Sequence, residues 1–145
     1  MLSIFIIALL IRGVFILSLQ DGFYFPDSVE YSQAAINLLT SGQLGESYHR
    51  PPGYPVFLAG VYLFFGKSML AVRMVESVMG ALLAVLIALI GKRLGREVGA
   101  LAGALWSIYP IGVFVAGLVY PTQIAAFLLA VGILIVGEAA IFATL

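Results

Sequence analysis

The sequence predicts an all-α polytopic membrane protein: about four transmembrane helices, with short juxtamembrane helices in a long first outer loop. Three observations carry this. Of 145 residues, 63% are hydrophobic and 10% charged, and the mean hydropathy is +1.15; a water-soluble domain of this size needs far more polar surface. Four apolar stretches, 2–19, 70–91, 98–119 and 122–143, approach the about 20 helical residues that cross a hydrocarbon core of roughly 30 Å. The polar residues between the first two stretches collect in one segment, 20–69. Other classes are excluded. Seven basic residues balance seven acidic ones with no basic tract, which argues against a nucleic-acid partner. The absence of cysteine rules out disulfides and thiolate metal sites. No repeat or interdomain linker divides the chain, so residues 1–145 form a single membrane domain.

The first stretch, 2–19, lacks a basic leader, is interrupted by Arg12, and is followed by SLQDG, a poor cleavage site. It is therefore a retained membrane helix rather than a signal peptide. In the outer segment, Val29, Ala35, Ile36 and Leu39 recur at helical spacing and Gly42 supplies a stop. A helix over 28–41 is expected to lie along the membrane, apolar side down. The stretch GYPVFLAGVYLFFG, 53–66, would reach only about 21 Å as a helix and is rich in aromatic residues, which favour the headgroup region. It is expected to be interfacial. That choice puts Lys92, Arg93 and Arg96 in the cytoplasm, in keeping with the positive-inside tendency, and both termini with them. Between the second and fourth spans, GALAG (99–103) has the spacing of small residues that suits close helix packing.

Several polar residues stand out. Asp27-Ser28-Val29-Glu30 fits a capping box, with Asp27 as N-cap and Glu30 at N3; equally, a carboxylate at a membrane surface is placed to act as general base or metal ligand. In HRPPGYP, 49–55, two prolines and a glycine fix the backbone. Arg50 there is either a snorkelling side chain or a phosphate clamp. His49 beside it reads as a surface histidine. Within the spans, Arg12 and Glu76 lie at matched depths, about 10 and 9 Å below the outer surface at about 1.5 Å per residue. Arg73 lies one turn from Glu76, so a structural ion pair among Arg12, Glu76 and Arg73 is expected, because an unpaired charge there is costly. With one histidine and no cysteine, only carboxylates remain to hold a metal; no motif demands a cofactor, and Mg²⁺ or Mn²⁺ is the cation they would suit.

The run of PDSVEYSQAAINLLTSGQ, RPPGYPVFLAGVYLFFGKS, AVRMVESVMGALLAVLIALIGKRLG, REVGALAGALWSIYP and VYPTQIAAFLLA, in that order, resembles the N-terminal part of the GT-C superfamily of membrane glycosyltransferases. That group includes protein O-mannosyltransferases and aminoarabinose transferases. The resemblance implies a partial GT-C-like module. It implies a donor in which a sugar is linked to polyprenyl phosphate, membrane lipid around the chain, and residence in a prokaryotic inner membrane. It makes Asp27 the catalytic residue and Arg50 the contact to the donor phosphate. Tyr31 and Tyr54 fall near the pocket, and Glu30 and His49 join them as substrate-binding candidates. The implied reaction is sugar transfer to an acceptor hydroxyl or amine at the outer face; the alternative is a non-catalytic module that binds a lipid-linked sugar or a partner subunit. Two departures matter. Many relatives carry an acid where this chain has Gln123, and relatives have more spans, so the chain is expected to be a fragment, one half of a split enzyme completed by a partner subunit, or a small protein that completes its site as a homo-oligomer.

Overall fold

The computed structural model describes residues 1–45 and 48–142. Among them there are no strands, and seven helices follow one another: α1 (Leu2–Leu17), α2 (Pro26–Ser41), α3 (Gly53–Phe65), α4 (Met69–Gly91), α5 (Arg96–Ile108), α6 (Pro110–Val115) and α7 (Thr122–Phe142). The all-α class is as the sequence predicts. Among the described residues α4 is the one helix long and apolar enough to cross a membrane; α1, α3 and the Thr122–Gly137 part of α7 are apolar but shorter. α4 is also the hub, packed by α1, α5 and α7, while α2 and α3 pair with each other.

Local chemistry sets the boundaries. The α4 start is capped by Ser68, whose hydroxyl accepts from the Ala71 amide at 3.2 Å. α2 ends at Gly42, in the left-handed region at φ 73° with its amide donating to Leu38 O; glycine takes that conformation without a steric cost. The stretch expected as one span, 98–119, is instead two helices. Tyr109 is extended (φ −63°, ψ 115°) between α5 and α6, because the proline that follows it disfavours helical backbone at the preceding residue.

The GALAG signal is structural. A side chain at Gly99 would collide with the Ala88 carbonyl and the Lys92 backbone, and one at Gly103 would lie 2.7 Å from Ala88 Cβ. The two glycines let α5 press directly on α4, as small residues do at helix crossings in membranes. Outward, α1 presents Leu2, Ile6, Leu10, Val14 and Leu17, and α7 presents Leu128, Leu129, Ile135 and Val136. Apolar faces this extensive are a liability in water but not against lipid.

The α2 face differs from the expected one. Val29 and Leu39 are exposed, whereas Ser28, Tyr31, Ser32, Ala34 and Ala35 are buried. Small alanines let α3 approach, and both serine hydroxyls are satisfied: Ser28 Oγ donates to Leu118 O at 3.0 Å, and Ser32 Oγ pairs with Tyr62 Oη at 2.9 Å. With its polar groups bonded, this face can be buried at little cost. Leu58, Val61, Tyr54 and Tyr62 from α3 and Val72 from α4 complete the core beneath it, each large side chain contributing about 1.5–3 kcal/mol on full burial.

Candidate functional site

Two short segments converge where α2 begins and the 48–52 loop leads into α3. Pro26 occupies the first helical position of α2 and Phe25 is its N-cap, with no side-chain cap hydrogen bond. The expected capping box is therefore not formed. Proline suits the first position because its missing N–H needs no partner. Starting the helix there moves Asp27 into the first turn, where an acid still favours the helix dipole, and frees its carboxylate to face elsewhere. It faces Arg50.

Each nitrogen of the Arg50 guanidinium donates to an acid. Nη1 donates to Asp27 Oδ2 and Nη2 to Asp27 Oδ1, both at 2.8 Å, and Nε donates to Glu30 Oε2 at 2.7 Å. Both carboxylates are thus ion-paired with the same guanidinium. A bidentate guanidinium–carboxylate pair fixes geometry as well as charge. Prolines 51 and 52 and the start of α3 hold Arg50 in place, and the Tyr31 ring lies beneath it, 5.6 Å from Cζ. Hydrogen bonding to Glu30, then to Asp27, pushes the Arg50 guanidinium further above its ordinary range. It stays charged at every physiological pH.

A residue that the sequence did not single out completes the arrangement. Tyr120, between α6 and α7, donates from its hydroxyl to Asp27 Oδ2 at 3.1 Å. That hydrogen bond to the carboxylate pushes the phenol above its usual value, so the proton stays on Tyr120 and the bond keeps its direction. Its ring meets Tyr31 edge-on at 6.0 Å, and Tyr31 meets Tyr54 edge-on at 5.1 Å. Tyr54 in turn donates to Glu76 Oε1 of α4 at 2.5 Å. The turn carrying Tyr120 includes Val119, buried at φ 56°. A β-branched residue in that region is strained, and its neighbour is the one that touches Asp27. The available signal for Tyr120 was an aromatic residue next to proline at the outer end of the last span.

Asp27, Glu30, Tyr31 and Arg50 are thus together, with Tyr54 reached through Tyr31. His49 lies to one side, exposed, on a separate groove beside Arg50. The residues expected to form an ion pair do not. Arg12 is buried and bonds to carbonyls instead: Ala8 O at 3.1 Å, Ser107 O at 3.2 Å and Trp106 O at 3.5 Å. Arg73, also buried, donates to Gly117 O, Gln20 O and Gly22 O at 2.8–3.1 Å, tying two outer turns together. Glu76 is bonded to Tyr54. Arg12 meets α4 at Gly80, one helical turn past Glu76. Carbonyls freed by the α5–α6 break and by the outer turns took the guanidiniums. Gly80 leaves room for Arg12 and for Gln123, whose side-chain atoms approach to 2.5 and 3.1 Å of where its Cβ would stand.

Chemically, this is a paired acid and base at a mouth. Among the described residues no three His, Cys, Asp or Glu side chains are grouped to hold a metal ion. Asp27 also lines a cavity of about 310 Å³ with Phe25, Leu118, Tyr120 and Thr122, so a molecule can reach it. A second cavity, about 230 Å³, runs from Tyr31 and Tyr54 past Pro121 to Ile124 and Leu128 of α7 and is apolar at its lower end.

No curated protein and no solved structure matches the chain. One family model does, described as dolichyl-phosphate-mannose-protein mannosyltransferase, over residues 49–143. The match takes in Arg50, Tyr54, Glu76 and Tyr120 and begins after Asp27 and Glu30. It covers well over half of the 145 residues, and the chain belongs to this family of GT-C-type membrane glycosyltransferases.

Proposed function

We propose that the chain transfers a sugar from a polyprenyl-phosphate donor to an acceptor at the outer membrane face. The observation that carries this is the bidentate contact between Arg50 and Asp27. A guanidinium that holds a carboxylate end-on has the geometry to hold a phosphate the same way. The donor phosphate would take Arg50 from Asp27. The carboxylate so released, still bonded to Tyr120, would accept the proton of the acceptor O–H or N–H. The acceptor atom then attacks the anomeric carbon, the bond from that carbon to the phosphate oxygen breaks, and the leaving phosphate keeps its charge on Arg50. The sugar is transferred with inversion. The lipid tail would lie against the apolar cavity along α7. A divalent cation, Mg²⁺ or Mn²⁺, would find its carboxylates in Asp27 and Glu30 and would replace Arg50 as their counter-ion.

Incubating membranes that carry the chain with polyprenyl phosphate bearing a radiolabelled sugar tests this. Label should move to an aqueous or membrane acceptor. If labelled lipid is bound but never consumed, in the chain's native assembly, the protein is a lipid-sugar binding module instead. The observation favouring that second reading is that both Asp27 oxygens are already occupied.

The placement required is α1, α4, α5 with α6, and α7 across the membrane, α2 and α3 on the outer surface, and both termini in the cytoplasm. A second copy or a partner subunit would cover the exposed apolar faces. Single cysteines at Gln43, Lys67 and Arg96 report on this. An impermeant thiol reagent added outside should label 43 and 67 and leave 96 unlabelled. Labelling of 96 with protection of 67 would mean that α3 crosses.

A further inference from the structure

We infer that the groove on the outer flank of α2 is a binding site for a neutral, hydroxyl-rich ligand, a saccharide. Its role as the acceptor subsite rests on the transferase reading above; the binding itself does not.

The groove encloses about 790 Å³, within the range of small-molecule sites. It is walled by Glu30, Gln33 and Asn37 on α2 and by Tyr48, His49 and Arg50 on the loop opposite. Two amides, an imidazole and a carboxylate supply the donors and acceptors that hydroxyl groups require, and a phenol ring adds an apolar surface. The amides are pre-set. Gln33 Nε2 donates to Asn37 Oδ1 at 3.0 Å, and Asn37 Nδ2 reaches Leu44 O at 3.4 Å. That fixes the Gln33 amide with its carbonyl oxygen unpartnered among the described residues. The His49 ring also makes no hydrogen bond there. Tyr48 is anchored through its hydroxyl to Pro51 O at 3.1 Å, leaving its ring face as a wall on which an apolar sugar face can stack.

Charge selects against an anionic ligand. Arg50 on the wall is bonded to both Glu30 and Asp27, so its one positive charge is outweighed by two carboxylates and nothing is left to hold a second anion. Position selects against a lipid tail, because the apolar cavity next to the site lies on its α7 side. Arg50 stands between this groove and the cavity lined by Asp27, bonded to an acid on each side. A sugar lying in the groove would place one hydroxyl at the Arg50–Glu30 edge, across Arg50 from Asp27.

The test is saturation-transfer NMR on the full chain in detergent micelles, with methyl glycosides of mannose, glucose and galactose as probes. Saturation should pass to the ring protons of at least one glycoside. It should fall by about tenfold or more in Gln33→Leu and in His49→Ala, both exposed positions where folding is not at stake and helicity confirms it. It should persist in Asp27→Asn. The inference is overturned by no transfer to any glycoside at millimolar concentration, by signal that survives both groove substitutions, or by hexose 1-phosphates binding more tightly than the neutral glycosides. A chain that binds glycoside and transfers no sugar would overturn the transferase reading and leave this site standing.

Discussion

Replacing Asp27 with asparagine should lower sugar transfer by roughly 10²–10⁴-fold, the usual worth of a general base, with helical content unchanged. The amide oxygen can still accept from Arg50 or from Tyr120, and Asp27 makes no cap whose loss would unwind α2. What asparagine cannot do is take a proton. Glu30→Gln should keep most of the activity, because Glu30 touches only Arg50 Nε. Transfer from a labelled donor, with circular dichroism on the same samples, separates the two effects. Undiminished transfer by Asp27→Asn would leave Asp27 as a counter-ion for Arg50 and nothing more.

Replacing Arg50 with methionine should weaken donor binding about 10- to 100-fold, the range for losing a hydrogen bond to a charged group. It also leaves Asp27 and Glu30, three residues apart on one helix face, as like charges without their shared partner. The loop that carries Arg50 should then loosen from α2, visible as faster amide exchange over residues 48–52. Arg50→Lys should fall between, since an ammonium is a point charge without the planar fork. Pairing with acids raises the Arg50 pKa, so its contribution is present throughout the physiological range and would be lost only in strong alkali. Acid loss of activity must come from another group.

Much of this was legible in the sequence because it depended on spacing along one element. The Gly42 stop, the Gly99–Gly103 contact with α4 and the separate helix at 53–65 are of that kind. The proximity of Asp27 and Arg50 followed from the resemblance, not from the residues alone. What was not legible depended on rotation and long-range contact. Arg12 meets α4 at Gly80, one turn past Glu76 on the same face, and backbone carbonyls bond its guanidinium there. The capping box failed because Pro26 starts α2 earlier than Asp27 would have. The buried stripe of α2 was misplaced because Ser28 and Ser32 count as polar until partners on other elements, Leu118 O and Tyr62, are known. Tyr120 touches Asp27 across more than ninety residues of chain, beyond any local pattern.

The central claim is that Arg50 is shared between Asp27 and the donor phosphate. Binding of a polyprenyl phosphate to the chain in nanodiscs, followed by ³¹P NMR titration for the native protein, Asp27→Asn and Arg50→Met, tests it most directly. With Asp27 neutral, the phosphate no longer competes with a carboxylate for the guanidinium, so Asp27→Asn should bind the lipid more tightly than the native chain even as transfer collapses. Arg50→Met should bind it about 10- to 100-fold more weakly. Weaker binding by Asp27→Asn, or undiminished binding by Arg50→Met, would contradict the account.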